Sequence, residues 1–173
     1  MKIVRIRKSD RETYGLVHDG KVATKDDITY ATAVPIPINV RDFLFDGWIK
    51  EIKEQFEKIP FAHDLSEFEL LAPLPNPQKI MCLAFNYLDH AKEQNLTPPS
   101  DPVIVMKPRT ALCGTAEDVI CPSFVKDLDY EVELAVFIGK ECKIISEDDA
   151  EIQFVRFGYC RKESAHQAIF THK

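Results

Sequence analysis

Residues 129–140 read DYEVELAVFIGK, and the reading of this stretch decides the fold. Alternate side chains of an extended strand point to one face. Asp129, Glu131 and Glu133 then share one side, while Tyr130, Val132, Leu134, Val136 and Ile138 share the other. A half-buried strand with a wet acidic face explains that much. Ala135 and Phe137 continue the acidic side as apolar positions, so both faces turn apolar within one step. Carboxylates at the mouth of a buried strand repel one another and lose hydration. A cation is expected beside them, and a divalent metal is one candidate. Carboxylate oxygens are hard ligands, and the segment holds no imidazole or thiol, which favours Mg²⁺, Mn²⁺ or Ca²⁺ over Zn²⁺. Two acids, Glu131 and Glu133, make half a site. The third metal ligand is unknown from these residues.

Upstream, KIMCLAF (79–85) and VIVMKP (103–108) have the apolar density of strands, and the loops around them contain proline. Between them, NYLDHAKEQN (86–95) opens with Asn86, a good helix N-cap, and carries Asp89 three residues on. If this is a short helix, His90 and Glu93 face the same side. A glutamate beside a histidine raises the basicity of the imidazole and fixes its tautomer, which suits activation of water. An exposed surface helix with a neutral histidine fits the same residues. Lys107 and Arg109 flank Pro108 at a strand end, where a cation meets either a substrate carboxylate or solvent.

Residues 1–32 show short strands and no helical pattern before residue 41. MKIVRI alternates, and Asp19-Gly20 between two apolar runs marks a hairpin. Phe45, Trp48, Ile49, Ile52, Phe56 and Ile59 then recur at helical spacing. Pro73, Pro75 and Pro77 make LLAPLPNPQKI a connector, which puts a boundary at about residue 72. Residues 1–72 are expected to form a small α+β module, and residues 73–173 a second, mainly β domain within a mixed α/β chain.

The 173 residues carry a formal net charge of −6 without a long basic cluster, which argues against a nucleic-acid or anionic-membrane surface. No apolar run approaches bilayer length, and the start lacks a secretory pattern. The five cysteines contain no CxxC pair. They read as reduced, mostly buried thiols of a cytoplasmic protein.

Taken in order, KIMCLAFNYLDHAKEQN, DPVIVMKPRTALCG and DLDYEVELAVFIGKECKIISEDDA resemble the fumarylacetoacetate hydrolase family across residues 79–150 nearly without interruption. The first 70 residues resemble the small module that precedes this domain in many members. The resemblance implies a β-roll catalytic domain, usually a homodimer, holding Mg²⁺ or Mn²⁺ between carboxylates. It implies Glu131 and Glu133 as metal ligands and His90 with Glu93 as a dyad on a lid helix; Lys107 and Arg109 stand as candidate substrate contacts on their strand-end position alone. The implied substrates are small 2-oxo acids. The implied reactions are acylpyruvate or fumarylacetoacetate-type C–C hydrolysis, isomerisation of 2-hydroxyhepta-2,4-diene-1,7-dioate, or oxaloacetate tautomerisation or decarboxylation.

Two departures stand out. Ala84 occupies a usual glycine position, where any positive φ would be strained. The family's third acidic ligand lies five residues past the tyrosine of FGY. Counting from Tyr159 reaches Ser164, with Glu163 adjacent. The tail CRKESAHQAIFTHK is polar and does not read as the expected strand. The sequence therefore reads as an incomplete catalytic domain whose C-terminal half is missing, with open strand edges, exposed apolar surface and impaired activity. The competing expectation is a non-catalytic fragment, a dimerisation or binding module or a pseudogene product.

Overall fold

The structure is a computed structural model. It describes residues 1–150 apart from 46, 94, 116, 127 and 140, together with the backbone of Phe154–Ala165; the side chains of His90, Asp129, Tyr130 and Glu131 also lie outside the described set. The fold is mixed α/β. Its strands are β1 (Lys2–Lys8), β2 (Arg11–His18), β3 (Lys21–Thr24), β4 (His63–Asp64), β5 (Glu69–Leu70), β6 (Ile80–Ala84), β7 (Val103–Lys107), β8 (Leu128–Ile138) and β9 (Phe154–Ala165). Its helices are α1 (Lys25–Thr32), α2 (Val40–Phe45), α3 (Trp48–Glu54), α4 (Leu88–Glu93) and α5 (Glu147–Ala150), with 3-10 turns between. The helical share is larger than a mainly β reading allows.

The first sheet runs β4-β3-β2-β1-β5 and is antiparallel throughout. The Asp19-Gly20 hairpin forms as its sequence predicts, with both residues at positive φ (46° and 76°), as a two-residue I′ turn requires. Ile6, Tyr14, Leu16, Val22 and Ala23 of this sheet are fully or almost fully buried. Tyr14, Leu16 and Ala23 pack with Ile28 of α1, Val40, Phe43 and Leu44 of α2, and Ile52 of α3. Tyr14 and Phe43 rings meet at 5.0 Å, and the Tyr14 hydroxyl donates to the Pro37 carbonyl at 2.7 Å. Burial pushes the Tyr14 phenol well above its ordinary value. Gly15 lets β2 and β3 close up, because a Cβ there would collide with the Ala23 carbonyl oxygen.

The C-terminal end of β1 is charged and paired. Arg7 donates from Nε at 2.9 Å and Nη2 at 2.6 Å to the two oxygens of Glu69. Lys8 reaches Glu67 at 2.8 Å. These hydrogen bonds hold both carboxyls below the usual range.

Two expectations for this region change. Helix α1 lies where no helical pattern was expected, since its eight residues bury only Ile28 and Thr32. Its signal was the capping box, in which the Asp27 N–H donates to Thr24 Oγ1 and the Thr24 N–H to Asp27 Oδ2. The apolar spacing over 45–59 resolves into α2, α3 and a 3-10 turn, broken at Gly47, whose φ is 79°.

The later strands form two ribbons, β6-β7 and β8-β9. Gly114 and Thr115 return to the first sheet, where the Thr115 N–H donates to the Leu70 carbonyl at 3.2 Å. A Cβ on Gly114 would come within 2.8 Å of that same oxygen, so the close approach needs glycine. Of the tail expected not to form a strand, residues 160–165 do belong to one at the backbone level, and residues 166–173 lie outside the described set. β9 pairs with β8 from Leu128↔Ala165 to Ile138↔Phe154, with one register shift between Phe137 and Ile138. Backbone pairing against a long apolar strand overrides the polar composition of the tail.

Candidate functional site

The acids that opened the sequence reading sit on an unbroken strand. β8 runs from residue 128 to 138, so Glu131 and Glu133 are two residues apart on regular extended backbone. Glu133 is half-buried, as are Ala135 and Phe137 beyond it. Val132, Leu134, Val136 and Ile138 are exposed, Val132 at 66%. The expected polarity is thus reversed: the apolar row lies open, and the row continuing from the acids is the more covered. The physical reason is that no described element packs on the apolar row, so area that would reward burial stays wet. The Glu131 side chain lies outside the described residues.

The site's second part is α4. It begins at Leu88, one residue later than an Asn86 cap implies, because the Ala91 N–H donates at 3.1 Å to the Tyr87 carbonyl. It ends in a Schellman arrangement: the Leu96 N–H donates to the Ala91 carbonyl at 2.9 Å and the Asn95 N–H to the Lys92 carbonyl at 3.0 Å, with Asn95 at φ 55°. His90 and Glu93 both fall within this helix, three residues apart. Glu93 is exposed, and the His90 side chain lies outside the described residues. The left-handed residue at the turn into α4 is Phe85 (φ 58°), and Ala84 keeps ordinary strand backbone. The strain anticipated at the alanine is carried one residue later.

Among the described residues, a hydrogen bond joins the two parts. The Leu134 N–H of β8 donates to the Tyr87 hydroxyl at 3.1 Å. Sequence reasoning did not single out Tyr87, since a tyrosine at a strand–helix turn has no motif of its own. Lys107 ends β7 and is half-buried. Arg109 is exposed and donates from Nη1 to Asn76 Oδ1 at 2.7 Å, so its guanidinium is already engaged with the connector.

For the unknown third ligand, the register speaks only through the backbone. Ser164 stands opposite Asp129, Glu163 opposite Tyr130, Lys162 opposite Glu131 and Cys160 opposite Glu133. A cationic residue type is therefore cross-strand to Glu131. Among the described residues, no three of His, Cys, Asp or Glu gather as a metal-holding group. The donor chemistry of the Glu131 and Glu133 positions suits a hard dication. The cysteines correct the expectation of buried thiols: Cys113, Cys121 and Cys142 are exposed and Cys82 is half-buried, all four unbridged. Among the described residues no helix is long and apolar enough to cross a membrane.

Comparisons with known proteins add the family. The family model described as fumarylacetoacetate (FAA) hydrolase C-terminal matches residues 79–160. A mitochondrial oxaloacetate tautomerase of Xenopus laevis is 34% identical over 132 residues, covering 75% of this chain and 41% of that protein. A human mitochondrial oxaloacetate tautomerase is 40% identical over 100 residues, 58% of this chain and 32% of its own length. The chain thus spans about two fifths or less of these relatives. Among solved structures, maleylpyruvate hydrolase from Sphingobium sp. SYK-6, in complex with manganese(II) and pyruvate, superposes with a TM-score of 0.72 at 23% identity. That match covers 95% of this chain and 60% of that one. A probable 2-hydroxyhepta-2,4-diene-1,7-dioate isomerase from Mycobacterium abscessus gives a TM-score of 0.68 at 25% identity, with 95% and 53% covered.

Proposed function

We propose, from the premise that residues 79–160 of this chain belong to the fumarylacetoacetate hydrolase C-terminal family, that it serves a divalent-metal-dependent hydrolase or isomerase of small 2-oxo acids. The observation that carries the reading is the bond from Leu134 to Tyr87, which brings the start of the His90–Glu93 helix to the strand of Glu131 and Glu133. The division into a module at 1–72 and a catalytic part at 73–173, and a homodimeric, cytoplasmic assembly, belong to the same proposal.

Glu131 and Glu133 would hold Mg²⁺ or Mn²⁺, with water or a further ligand completing the shell. When bound, such an ion supplies Lewis-acid stabilisation of negative charge on a keto oxygen. His90, oriented by Glu93, takes a proton from the water that attacks the second carbonyl, and returns it to the departing carbon. In an isomerisation or tautomerisation, the same imidazole moves a proton between two positions of the substrate and no water is consumed. Lys107, half-buried at the end of β7, suits the substrate carboxylate better than Arg109, which is committed to Asn76. Fold and metal do not choose among these reactions.

Turnover of acylpyruvates and of oxaloacetate, with and without EDTA, tests the reading. The expected result is a metal-dependent rate that His90→Ala removes. A rate indifferent to EDTA, or no rate on any of these substrates, overturns it.

A second reading has its own observation: Lys162 stands cross-strand to Glu131. Opposite charges at that register stabilise a plain strand pair, and the chain would then be a non-catalytic binding or dimerisation module. Lys162→Met separates the two, raising metal affinity on the first reading and only weakening the β8-β9 pair on the second.

A further inference from the structure

Tyr87 carries two jobs with two different groups. Its backbone carbonyl accepts the Ala91 N–H and so opens α4. Its side-chain hydroxyl accepts the N–H of Leu134, 47 residues away on β8. The first bond fixes where the helix starts along the chain. The second fixes where that start sits in space.

The choice of strand atom matters. In an antiparallel pair, successive residues turn their N–H and C=O alternately toward the partner strand and away from it. Leu134 is opposite Tyr159 in the β8-β9 register, yet its N–H is committed to Tyr87. It therefore lies on the edge of β8 away from β9. The peptide unit that Tyr87 grips is the one joining Glu133 to Leu134. A hook on that unit places the start of α4 one residue from a carboxylate position of the candidate site.

The rest of the helix is locally closed. Its C-terminal end satisfies its own carbonyls through Asn95 and Leu96. Ala91 is its one fully buried residue among those described. Lys92, Glu93 and Leu88 are exposed, so side-chain burial gives α4 little hold on the body. A six-residue helix is marginal by itself. Its placement then depends strongly on the hook at its N-terminal end.

We infer that Tyr87 is a positioning residue: its hydroxyl, by accepting from Leu134, sets the helix that carries His90 and Glu93 against the strand that carries Glu131 and Glu133. The inference rests on the reading of the site given under Proposed function. Tyr87 itself touches no reacting atom. It acts through α4, and its loss alters where His90 stands without altering the strand.

The alternative role is an ordinary one. An edge strand exposes unpaired N–H groups, and a nearby hydroxyl can satisfy one of them. Tyr87→Phe separates the two, since it removes the hydroxyl and keeps the ring. Hydrogen exchange in the metal-free protein is the first readout. The amides of Ala91, Asn95 and Leu96 should exchange about threefold to tenfold faster in the variant, the range expected for one net hydrogen bond. Amides of β1–β3 should stay at wild-type rates. If only the Leu134 amide speeds up while α4 keeps its rate, Tyr87 merely caps an edge and the inference is overturned.

The second readout is nuclear relaxation of the His90 imidazole protons with Mn²⁺ bound. At equal metal occupancy, the enhancement should weaken in Tyr87→Phe, because the helix no longer holds its place. Unchanged enhancement overturns the inference. Failure of the wild-type protein to take up Mn²⁺ would instead remove the functional reading, and the exchange readout would still decide the role of Tyr87.

Discussion

Phe43 and Met81 are both large apolar residues, yet Phe43 is fully buried and Met81 is 58% exposed. The contrast holds across the regions they represent. Nearly every buried hydrophobic residue among those described lies at or before Ala72, with Ala91 the exception. Nearly every exposed large hydrophobic lies at or after Met81, with Tyr30 and Ile38 the exceptions. The first region folds helices onto its sheet and seals them. The second displays two ribbons whose apolar rows, Met81, Leu83, Ile104 and Met106 on one and Val132, Leu134, Val136 and Ile138 on the other, meet no described partner element. Patterning alone makes strands in both. Only the first also supplies the layer that covers them, and a sheet needs that layer to form a core.

The largest effect that would break this contrast concerns the sealed core. Phe43→Ala empties a fully buried site beside Tyr14 and should cost about 3–5 kcal/mol, read by urea unfolding followed through Trp48 fluorescence. A loss below about 1 kcal/mol would mean that the first region does not carry the stability assigned to it.

Next comes the seam. Gly114→Ala forces a Cβ toward the Leu70 carbonyl and should cost about 1–3 kcal/mol. Exchange of the Thr115 amide should rise with it, since its acceptor is the same oxygen. An unchanged Thr115 would show that the two regions do not meet there.

A smaller effect follows from the paired charges of β1. The hydrogen bonds from Arg7 and Lys8 hold Glu69 and Glu67 below the usual carboxylate range. A carboxyl lowered in the folded state contributes stability that is complete above its unfolded value of about 4.3 and is lost as pH falls through the folded one. Urea midpoints should therefore drop on acidification below about pH 4.5, and Glu69→Gln should flatten that limb. An identical acid limb in the variant would contradict the pairing.

The smallest effect is the most pointed about the open ribbons. Met81→Thr and Ile104→Thr should each change stability by no more than about 0.5 kcal/mol, as at exposed positions generally. A loss of about 2 kcal/mol or more would mean that these side chains are covered in solution.

Legibility in the sequence followed the same divide. The Asp19-Gly20 hairpin and the strand of DYEVELAVFIGK were readable because turn chemistry and two-residue alternation are local. Helix α1 was missed because eight residues with two buried positions give almost no periodic signal, although Thr24 and Asp27 spelled out its cap. The break at Gly47 was overlooked because apolar spacing on either side stayed in phase. The part of β9 from Cys160 onward was read as a non-strand because its pairing with β8 is not revealed by composition. Glu131, Glu133, His90 and Glu93 were legible as residue types at suggestive spacings. The hook from Tyr87 to Leu134 was not, because it spans 47 residues and uses a backbone donor that every position of a strand possesses.

The claim at the centre of this account is that the two glutamates of β8 grip a hard dication. Calorimetric titration of the protein with Mn²⁺ tests it most directly, alongside Glu131→Ala and Glu133→Ala. The account predicts one saturable site in the wild-type chain, weakened by at least about tenfold in each variant. Equal binding by all three proteins, or no binding by the wild type, would contradict it.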